Sequence, residues 1–326
     1  MSGTARCGQQ QPAPGPVSDV ARPGGPMAGM LLLAAALTAT GGVDSSAARA
    51  AAAVVTIEPA RLVPGSPVRI TVETSASTAL TGRFADRDLT FLDRPGGGFV
   101  AFVGIDLDTA PGSYPLTVSI REPGRPPATQ SFDLTVLPTS YPTEELTVAP
   151  RFVEPPATLT KRIEQEAALL ASLWQRASPR RRFDGHVVRP LPGVPGRNFG
   201  RRRVFNGQPR SPHSGTDLSA PSGTPVPASA AGVVVVARNL YFSGNLVVLD
   251  HGGGVYTLYA HLSSIDVVEG ETLPAGRILG TVGATGRVTG PHLHWGAHIG
   301  PARVDPIELL ELLEGRAAGQ TVSAAD

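Results

Sequence analysis

The chain has 326 residues, enough for two modest domains with connecting segments. Its formal net charge of +1 argues against a nucleic-acid partner, because such proteins usually carry a strong basic excess. The single cysteine, Cys7, excludes an intrachain disulfide and a cysteine-rich zinc knuckle, so any metal site must use His, Asp or Glu. The 38 glycines and 32 prolines favour many short strands over long helices.

Residues 1–50 predict a signal peptide or an N-terminal anchor. The short apolar run Met27–Thr40 follows a segment that carries Arg6 and Arg22, and Ala48–Ala50 fits an A-x-A cleavage site. The run is too short to span a bilayer comfortably. We therefore expect an exported protein of the periplasm or cell envelope, anchored in the inner membrane if the segment is not cleaved. An alanine-rich leader without this role is the alternative.

Residues 51–138 predict an Ig-like β-sandwich, because short segments of alternating polarity are separated by Pro-Gly turn signals. The alternating segments are Val68–Val72, Phe99–Val103, Pro115–Ile120 and Ser131–Val136. The region contains no histidine and no acidic cluster. We therefore interpret it as a spacer or an interaction module through which a regulatory partner could bind.

Residues 139–181 predict a linker that is rich in proline at its start and contains one helix over residues 158–177. The helix is indicated by an apolar stripe at spacings of four, four, three and four: Leu159, Ile163, Ala167, Leu170 and Trp174. We expect its apolar face to pack on a domain. The segment Arg180–Arg182 is interpreted as a solvated linker, with contact to an anionic substrate as the alternative.

Residues 182–313 predict a second all-β domain, and residues 314–326 a disordered tail. Strands are predicted at Gly232–Val236, Asn245–Leu249, Val255–Tyr259 and Ile278–Val282, with glycines between them. The overall prediction is thus a mainly β protein: a sandwich, a linking helix and a C-terminal antiparallel β domain.

Six of the seven histidines lie beyond residue 212, and two of them are His292 and His294 in the segment Pro291–Trp295. Side chains at positions i and i+2 of a strand point to the same face, so these two imidazoles are expected side by side. Two adjacent histidines are costly to bury unless something organises them. A metal ion does so, and imidazole is a preferred zinc ligand.

The segment His213-Ser214-Gly215-Thr216-Asp217 offers a nitrogen and a carboxylate at the entry to a predicted strand. Together with His294 it gives three protein ligands, which is the number that catalytic zinc sites use while they keep a fourth position open. The helical H-E-x-x-H motif is absent, so the chain is not a zincin. His261 ends another predicted strand, and with His292 it would place imidazoles near a zinc-activated water.

These motifs together resemble the lysostaphin-type zinc metallopeptidases, also called LytM-domain proteins. The resemblance rests on His213–Asp217, Tyr259–Ser263, Gly283–Gly286 and Gly290–Trp295, and on the closing Val304–Pro306. It implies that His213, Asp217 and His294 bind Zn2+ and that His261 and His292 are catalytic. It also implies a compact antiparallel β fold with a groove, and a peptidoglycan stem or cross-bridge peptide as substrate.

Some members of this family place a tyrosine shortly before the first ligand to stabilise the reaction intermediate. Here Val204-Phe205-Asn206 occupies that region, and Asn206 and Arg210 are the candidates for the missing role. The remaining histidines, His186, His251 and His298, are predicted to be structural, with a place in the groove as the alternative for His298.

The predicted function is a zinc metalloendopeptidase that acts on peptidoglycan, with a D-Ala to diaminopimelate cross-link as the first choice of bond and a glycine-rich bridge as another. The alternatives are a non-cutting activator of another wall hydrolase, which the complete set of ligands argues against, and an adaptor in which the sandwich matters most. The preceding segment 138–203 could also cover the groove.

Overall fold

A computed structural model describes residues 53–74, 78–192 and 196–315, which belong to one compact unit. The predicted export segment 1–50 and most of the predicted tail, 316–326, lie outside the described residues. Within the described part of the chain, no helix has both the length and the apolar character needed to cross a membrane.

The N-terminal region forms two antiparallel four-stranded sheets, in the orders β1-β2-β6-β5 and β4-β3-β7-β8. The strands are β1 (Val54–Glu58), β2 (Pro67–Glu73), β3 (Ala79–Phe84), β4 (Arg87–Asp88), β5 (Leu92–Asp93), β6 (Phe99–Gly104), β7 (Gly112–Arg121) and β8 (Ala128–Val136). Side chains from both sheets share one apolar core, to which Ile70, Val103, Leu116 and Leu134 contribute. The alternating segments therefore form strands because each buries one face. This architecture agrees with the predicted sandwich.

The linking segment is more structured than its proline content predicts. Strand β9 (Thr143–Leu146) pairs in parallel with β10 (Arg202–Phe205), so it adds an edge strand to the C-terminal region. Helix α1 (Thr160–Trp174) lies within the predicted range 158–177. Its apolar face packs on the C-terminal sheet, where Trp174 stacks on the His298 ring at a centroid distance of 4.2 Å.

The C-terminal region is built on one large antiparallel sheet in the order β12-β20-β16-β15-β14-β18, with β21 paired to β20. A small sheet, β13-β19-β17, packs beside it, and β11 pairs with β10. The strands are β11 (Gln208–Pro209), β12 (Gly215–Leu218), β13 (Pro225–Pro227), β14 (Gly232–Leu240), β15 (Gly244–Gly252), β16 (Val255–Leu262), β17 (Ser264–Ile265), β18 (Thr272–Leu273), β19 (Ile278–Thr281), β20 (Leu293–Ile299) and β21 (Ala302–Val304).

A second helix, α2 (Pro306–Glu314), follows β21 and was not predicted from the sequence. Asp305 caps its N-terminus by accepting a 2.8 Å hydrogen bond from the Ile307 backbone, and Pro306 occupies the first turn. Gly315 ends it in the left-handed conformation at φ 82°. The predicted tail therefore begins too early, since Glu314 is helical and Gly315 is its cap.

The sandwich and the C-terminal region share a buried interface. An apolar cluster joins Val100 and Phe102 of the sandwich to Phe183, Val304 and Leu309 of the C-terminal region. At its edge Arg303 forms a charged hydrogen bond from Nε to Asp106 Oδ2 at 2.9 Å. The domain boundaries at residues 138 and 181 stay predictions, because the two regions pack as parts of one unit.

Candidate metal centre and groove

Strand register brings the predicted site residues to one end of the large sheet. Strand β20 lies between β12 and β16, so His294 sits opposite both Asp217 and Ala260. His213 immediately precedes β12, and His261 follows Ala260. Residues far apart in the sequence therefore meet because three antiparallel strands are aligned in this register.

Three ligand-type atoms converge on one point. His213 Nε2 lies 2.9 Å from His294 Nδ1 and 3.0 Å from Asp217 Oδ1, and His294 Nδ1 lies 2.9 Å from Asp217 Oδ1. His213 is buried, whereas the side chains of His294 and Asp217 remain 15% and 20% exposed. Within the described part of the chain, this is the group of His and carboxylate side chains whose spacing suits a metal ion.

Hydrogen bonding fixes the state of His213. Its Nδ1 lies 2.9 Å from the Asn198 carbonyl oxygen, which can only accept, so Nδ1 carries the proton and Nε2 presents a lone pair. Burial lowers the pKa of His213 to about 4, although the hydrogen bond to Asp217 opposes this shift. The lone pair of His213 Nε2 thus faces Asp217 Oδ1, which is also an acceptor. A single proton on His294 Nδ1 can be donated to only one of these two atoms. A bound cation removes this conflict, so the donor set fits a metal such as zinc.

Asp217 is held as a carboxylate by the two predicted histidines, and two residues that the sequence did not reveal orient it. Burial alone would raise its pKa, but contact with the His213 and His294 rings outweighs burial and holds the pKa far below its usual range. Its other oxygen, Oδ2, accepts hydrogen bonds from Asn198 Nδ2 and Arg203 Nη2, both at 3.0 Å. These bonds orient Oδ1 toward the two histidines, as outer partners of metal ligands generally do.

His261 and His292 lie beside this cluster with their rings 5.0 Å apart. Each ring donates from Nδ1 to a backbone carbonyl, His261 to Thr285 and His292 to Gly290, both at 2.8 Å, so each neutral ring keeps an acceptor nitrogen for the groove. Burial, followed by repulsion from His294 and His292, lowers the pKa of His261 to about 3. His261 also adopts a left-handed φ of 65°, a strained conformation for a non-glycine residue that is found disproportionately at functional sites.

Gly215, within the motif that carries the first two candidate ligands, permits the close approach of His294. A Cβ on this residue would lie 2.8 Å from the His294 ring and 2.6 Å from the Trp295 carbonyl oxygen. Both distances are shorter than real Cβ contacts, and the backbone oxygen cannot swing aside. The glycine is therefore required by the packing of β12 against β20.

The three remaining histidines lie outside the cluster. His251 is fully buried near the end of β15, and its nitrogens contact the Ala231 carbonyl and the Thr257 hydroxyl, each at 2.8 Å. His298 packs on Trp174. His186 is exposed. All three therefore have the surroundings expected of structural or surface residues.

The two candidates for the missing tyrosine are engaged elsewhere. The Asn206 amide accepts from the Val148 backbone N–H and donates to the Val148 carbonyl, each at 3.0 Å. Arg210 Nη2 donates to the Val153 carbonyl at 2.9 Å. Both side chains fasten the linking segment to the C-terminal region.

The linking segment also forms one wall of a groove that leads to the cluster. Glu144, Leu146 and Val148 line this groove with His261 and His292. The sequence suggested that segment 138–203 could cover the groove but did not identify β9 as the wall, since nothing in a short acidic strand indicates where it pairs. The groove runs beside the two histidines and is open to solvent.

Comparison with known proteins identifies the family. Residues 211–306 match Peptidase family M23. The chain is similar to a candidate peptidase M23 from Pseudomonas aeruginosa whose crystal structure is known. The two share 31% sequence identity, and the match covers 78% of this chain and 96% of that chain with a TM-score of 0.59. This chain belongs to peptidase family M23, which confirms the resemblance found in the sequence and the mainly β fold with a C-terminal peptidase domain.

Two curated relatives match the C-terminal region. The peptidoglycan DD-endopeptidase ShyA of Vibrio cholerae serotype O1 is 50% identical over 99 residues, which cover 30% of this chain and 23% of that protein. The DD-carboxypeptidase/endopeptidase Mpg of Neisseria meningitidis serogroup B is 47% identical over 97 residues, covering 30% of this chain and 22% of that protein. The chain thus spans less than a quarter of the length of either relative.

Proposed function

We propose that this protein is an exported, zinc-dependent endopeptidase that hydrolyses peptide cross-links or stem peptides of bacterial peptidoglycan. The observation that carries the proposal is the convergence of His213 Nε2, Asp217 Oδ1 and His294 Nδ1 on one point, beside two further histidines. Membership of family M23 and the names of the two curated relatives support the reaction class.

His213, Asp217 and His294 would hold the zinc ion. When bound there, zinc would supply a Lewis acid that brings the pKa of a water toward neutrality. Asn198 and Arg203 hold Asp217 Oδ2, so the carboxylate is oriented before substrate arrives. With three protein ligands the set matches catalytic rather than closed structural sites.

His261 and His292 would handle the protons. One imidazole accepts a proton from the attacking water as its oxygen adds to the peptide carbonyl carbon. The other, in its protonated form, donates from Nε2 to the carbonyl oxygen and stabilises the negative charge that develops there, and a proton then passes to the amine nitrogen as the C–N bond breaks. The Thr285 and Gly290 carbonyls fix the two ring orientations by accepting the Nδ1 protons.

The first choice of substrate is the D-Ala to diaminopimelate cross-link. The Vibrio protein is named a DD-endopeptidase and the Neisseria protein a DD-carboxypeptidase/endopeptidase, which supports a bond next to D-Ala. A glycine-rich bridge is the competing substrate.

Residues 143–148 form a groove wall, and we infer that they limit how the wall peptide enters. A regulatory partner that binds the sandwich could act through this wall, since the wall follows the sandwich directly. Export is supported by the apolar run Met27–Thr40 and its A-x-A sequence. N-terminal sequencing of the envelope-associated protein tests export, and an intact N-terminus on a cytoplasmic protein would contradict it.

Digestion of purified peptidoglycan tests the proposed activity, with the products read by mass spectrometry. We expect new uncrosslinked muropeptides that disappear with a chelator and return when zinc is restored. Product formation that survives the chelator would contradict a metal-dependent reaction. Stoichiometric zinc without product from any wall type would instead indicate a non-cutting regulator.

A further inference from the structure

Arg287 is a cation in the groove that lacks an acidic partner. It lies in the loop between β19 and β20, the same loop that delivers His292, and its backbone N–H donates to the Phe242 carbonyl at 2.9 Å. Among the described residues, no carboxylate forms an ion pair with its guanidinium, although many other arginines of the chain have such pairs. Its side chain is only half-exposed, so the charge is incompletely solvated.

Aromatic packing holds the Arg287 guanidinium in place. Its central carbon lies 4.6 Å from the Phe205 ring centroid and 4.7 Å from the Phe242 ring centroid. A guanidinium packed over aromatic rings keeps its N–H donors directed outward in its own plane. That arrangement suits a planar carboxylate, which accepts two parallel hydrogen bonds from an arginine.

The neighbouring charges leave Arg287 uncompensated. Arg203 is paired with Asp217, and Arg210 donates to the Val153 carbonyl and to Gln208. Burial, followed by repulsion from Arg203 and Arg210, lowers the pKa of Arg287 to about 10, so the side chain is still cationic at neutral pH. An anion that arrived in the groove would relieve this unfavourable arrangement.

Arg287 lines the same groove as His261 and His292. A peptide whose scissile bond lies at these histidines therefore occupies a groove that Arg287 also lines. We propose that Arg287 binds a carboxylate of the peptide substrate that lies near the scissile bond. This inference rests on the proposed peptidase function and deepens it.

Two carboxylates of a D-Ala to diaminopimelate cross-link have the required chemistry. One is on the carbon bonded to the scissile nitrogen, and the other is the C-terminal carboxylate of a stem peptide. A glycine bridge carries no carboxylate next to its scissile bond, so dependence on the first of these carboxylates would favour the diaminopimelate cross-link over a glycine bridge.

The test measures kcat and KM on three purified cross-linked dimers. One dimer has both carboxylates free, the second is amidated at the carboxyl next to the scissile nitrogen, and the third is amidated at the C-terminus. The wild type is compared with Arg287→Gln, Arg287→Lys and the control Arg202→Gln. Arg202 is exposed on the same strand as Arg203 and undergoes the same change of charge.

We expect one of the two amidations to lower kcat/KM of the wild type roughly 10- to 100-fold, as loss of a charged hydrogen-bonded pair does. The amidation that does so identifies which carboxylate is bound. Arg287→Gln should be slow on the free dimer by a similar factor and indifferent to that amidation. Arg287→Lys should recover part of the rate, and Arg202→Gln should behave as the wild type.

A wild type that is indifferent to both amidations overturns the proposal, as does an Arg287→Gln protein that keeps the wild-type sensitivity. The first result needs no variant, so a folding defect cannot obscure it. If the wild type cuts no dimer, the proposed function fails separately. Calorimetric binding of an uncrosslinked tetrapeptide stem, free or amidated, then decides the role of Arg287: equal affinities for the two forms overturn it.

Discussion

The sandwich and the peptidase region are both antiparallel β structures, yet they use their strands differently. Strand β7 of the sandwich alternates buried and half-exposed residues along its second half, whereas β15 and β16 of the peptidase region are buried at nearly every position. A strand with one solvated face has no enclosed place for polar chemistry. Strands covered on both faces can hold polar side chains at their ends in fixed, partly dehydrated surroundings. The histidines of the candidate site lie at such strand ends.

Removing a candidate metal ligand should have the largest effect on activity. We expect His294→Ala to lower cleavage of peptidoglycan at least about 10⁴-fold and to abolish zinc binding, because two ligands remain and the activated water is lost. Plasma emission analysis gives the metal content. His186→Ala, which changes an exposed histidine, should keep both zinc and activity. Zinc retained by His294→Ala at full occupancy would refute the ligand assignment.

Changing the catalytic candidates should separate chemistry from metal binding. His261→Ala and His292→Ala are each expected to lower kcat about 10²- to 10⁴-fold, the usual contribution of a proton-transferring group, while zinc stays bound. The measurement pairs kcat on a cross-linked dimer with metal analysis of the same sample. If either variant keeps the wild-type kcat, that histidine has no role in proton transfer.

Arg203→Ala tests how the metal ligand Asp217 is positioned. Loss of the 3.0 Å hydrogen bond to Asp217 Oδ2 should weaken zinc affinity roughly 10- to 100-fold, as changes in outer partners of metal ligands do. Competition with a chromophoric chelator measures the affinity. Arg202→Ala is the matched control on the exposed side of β10. Equal zinc affinity in the two variants would mean that Arg203 does not position the carboxylate.

The interface between the two regions should affect stability rather than chemistry. Asp106→Asn is expected to lower the free energy of unfolding by about 1–3 kcal/mol, the contribution of hydrogen bonds to a charged group, and to leave kcat unchanged. Denaturant unfolding measures the difference. Asp108→Asn, at a carboxylate whose side chain is 70% exposed, should cost much less. A fall in kcat for Asp106→Asn without a loss of stability would contradict this interpretation.

The contribution of the Asp106–Arg303 ion pair to stability depends on pH in a defined way. Burial alone would raise the pKa of Asp106, but hydrogen bonds and charge from Arg303 outweigh it, so the pKa is lowered in the folded state. A lowered pKa stabilises the fold above the unfolded-state value of about 4, and the contribution is lost as pH falls through the folded-state pKa. The stability gap between wild type and Asp106→Asn should therefore be constant near neutrality and shrink in acid.

The shared core also limits what truncation can reveal. Deleting the chain before residue 180 would remove Val100 and Phe102 from the apolar cluster they form with Phe183 and Leu309. Loss of activity after such a deletion would then report unfolding as readily as a role for the groove wall. Leu146→Ala, a change in the wall itself, tests the wall with less damage to that core.

Local patterns in the sequence predicted much of this molecule, because alternation and motif spacing are local. The strands around Val68–Val72 and Val255–Tyr259 and the helix near residues 158–177 all occur. Strand β9 was missed because it forms only where the edge of β10 offers hydrogen-bond partners. Helix α2 was not predicted, although Asp305-Pro306 and Gly315 are ordinary start and stop signals for a helix.

The candidate site shows the same division. The five residues of the histidine motifs were predicted from their spacing and from the family resemblance, and strand register brings them together. Asn198, Arg203 and Arg287 carry no sequence signal of their own. Their roles depend on which strand or loop passes the site, and that is decided by long-range pairing.

Anomalous diffraction at the zinc absorption edge, from crystals of the zinc-loaded protein, is the decisive test of the metal centre. We expect one peak within bonding distance of His213 Nε2, Asp217 Oδ1 and His294 Nδ1, with His261 and His292 nearby but unbonded. No peak at this position in the zinc-loaded protein, or a peak bonded to other side chains, would contradict the ligand assignment.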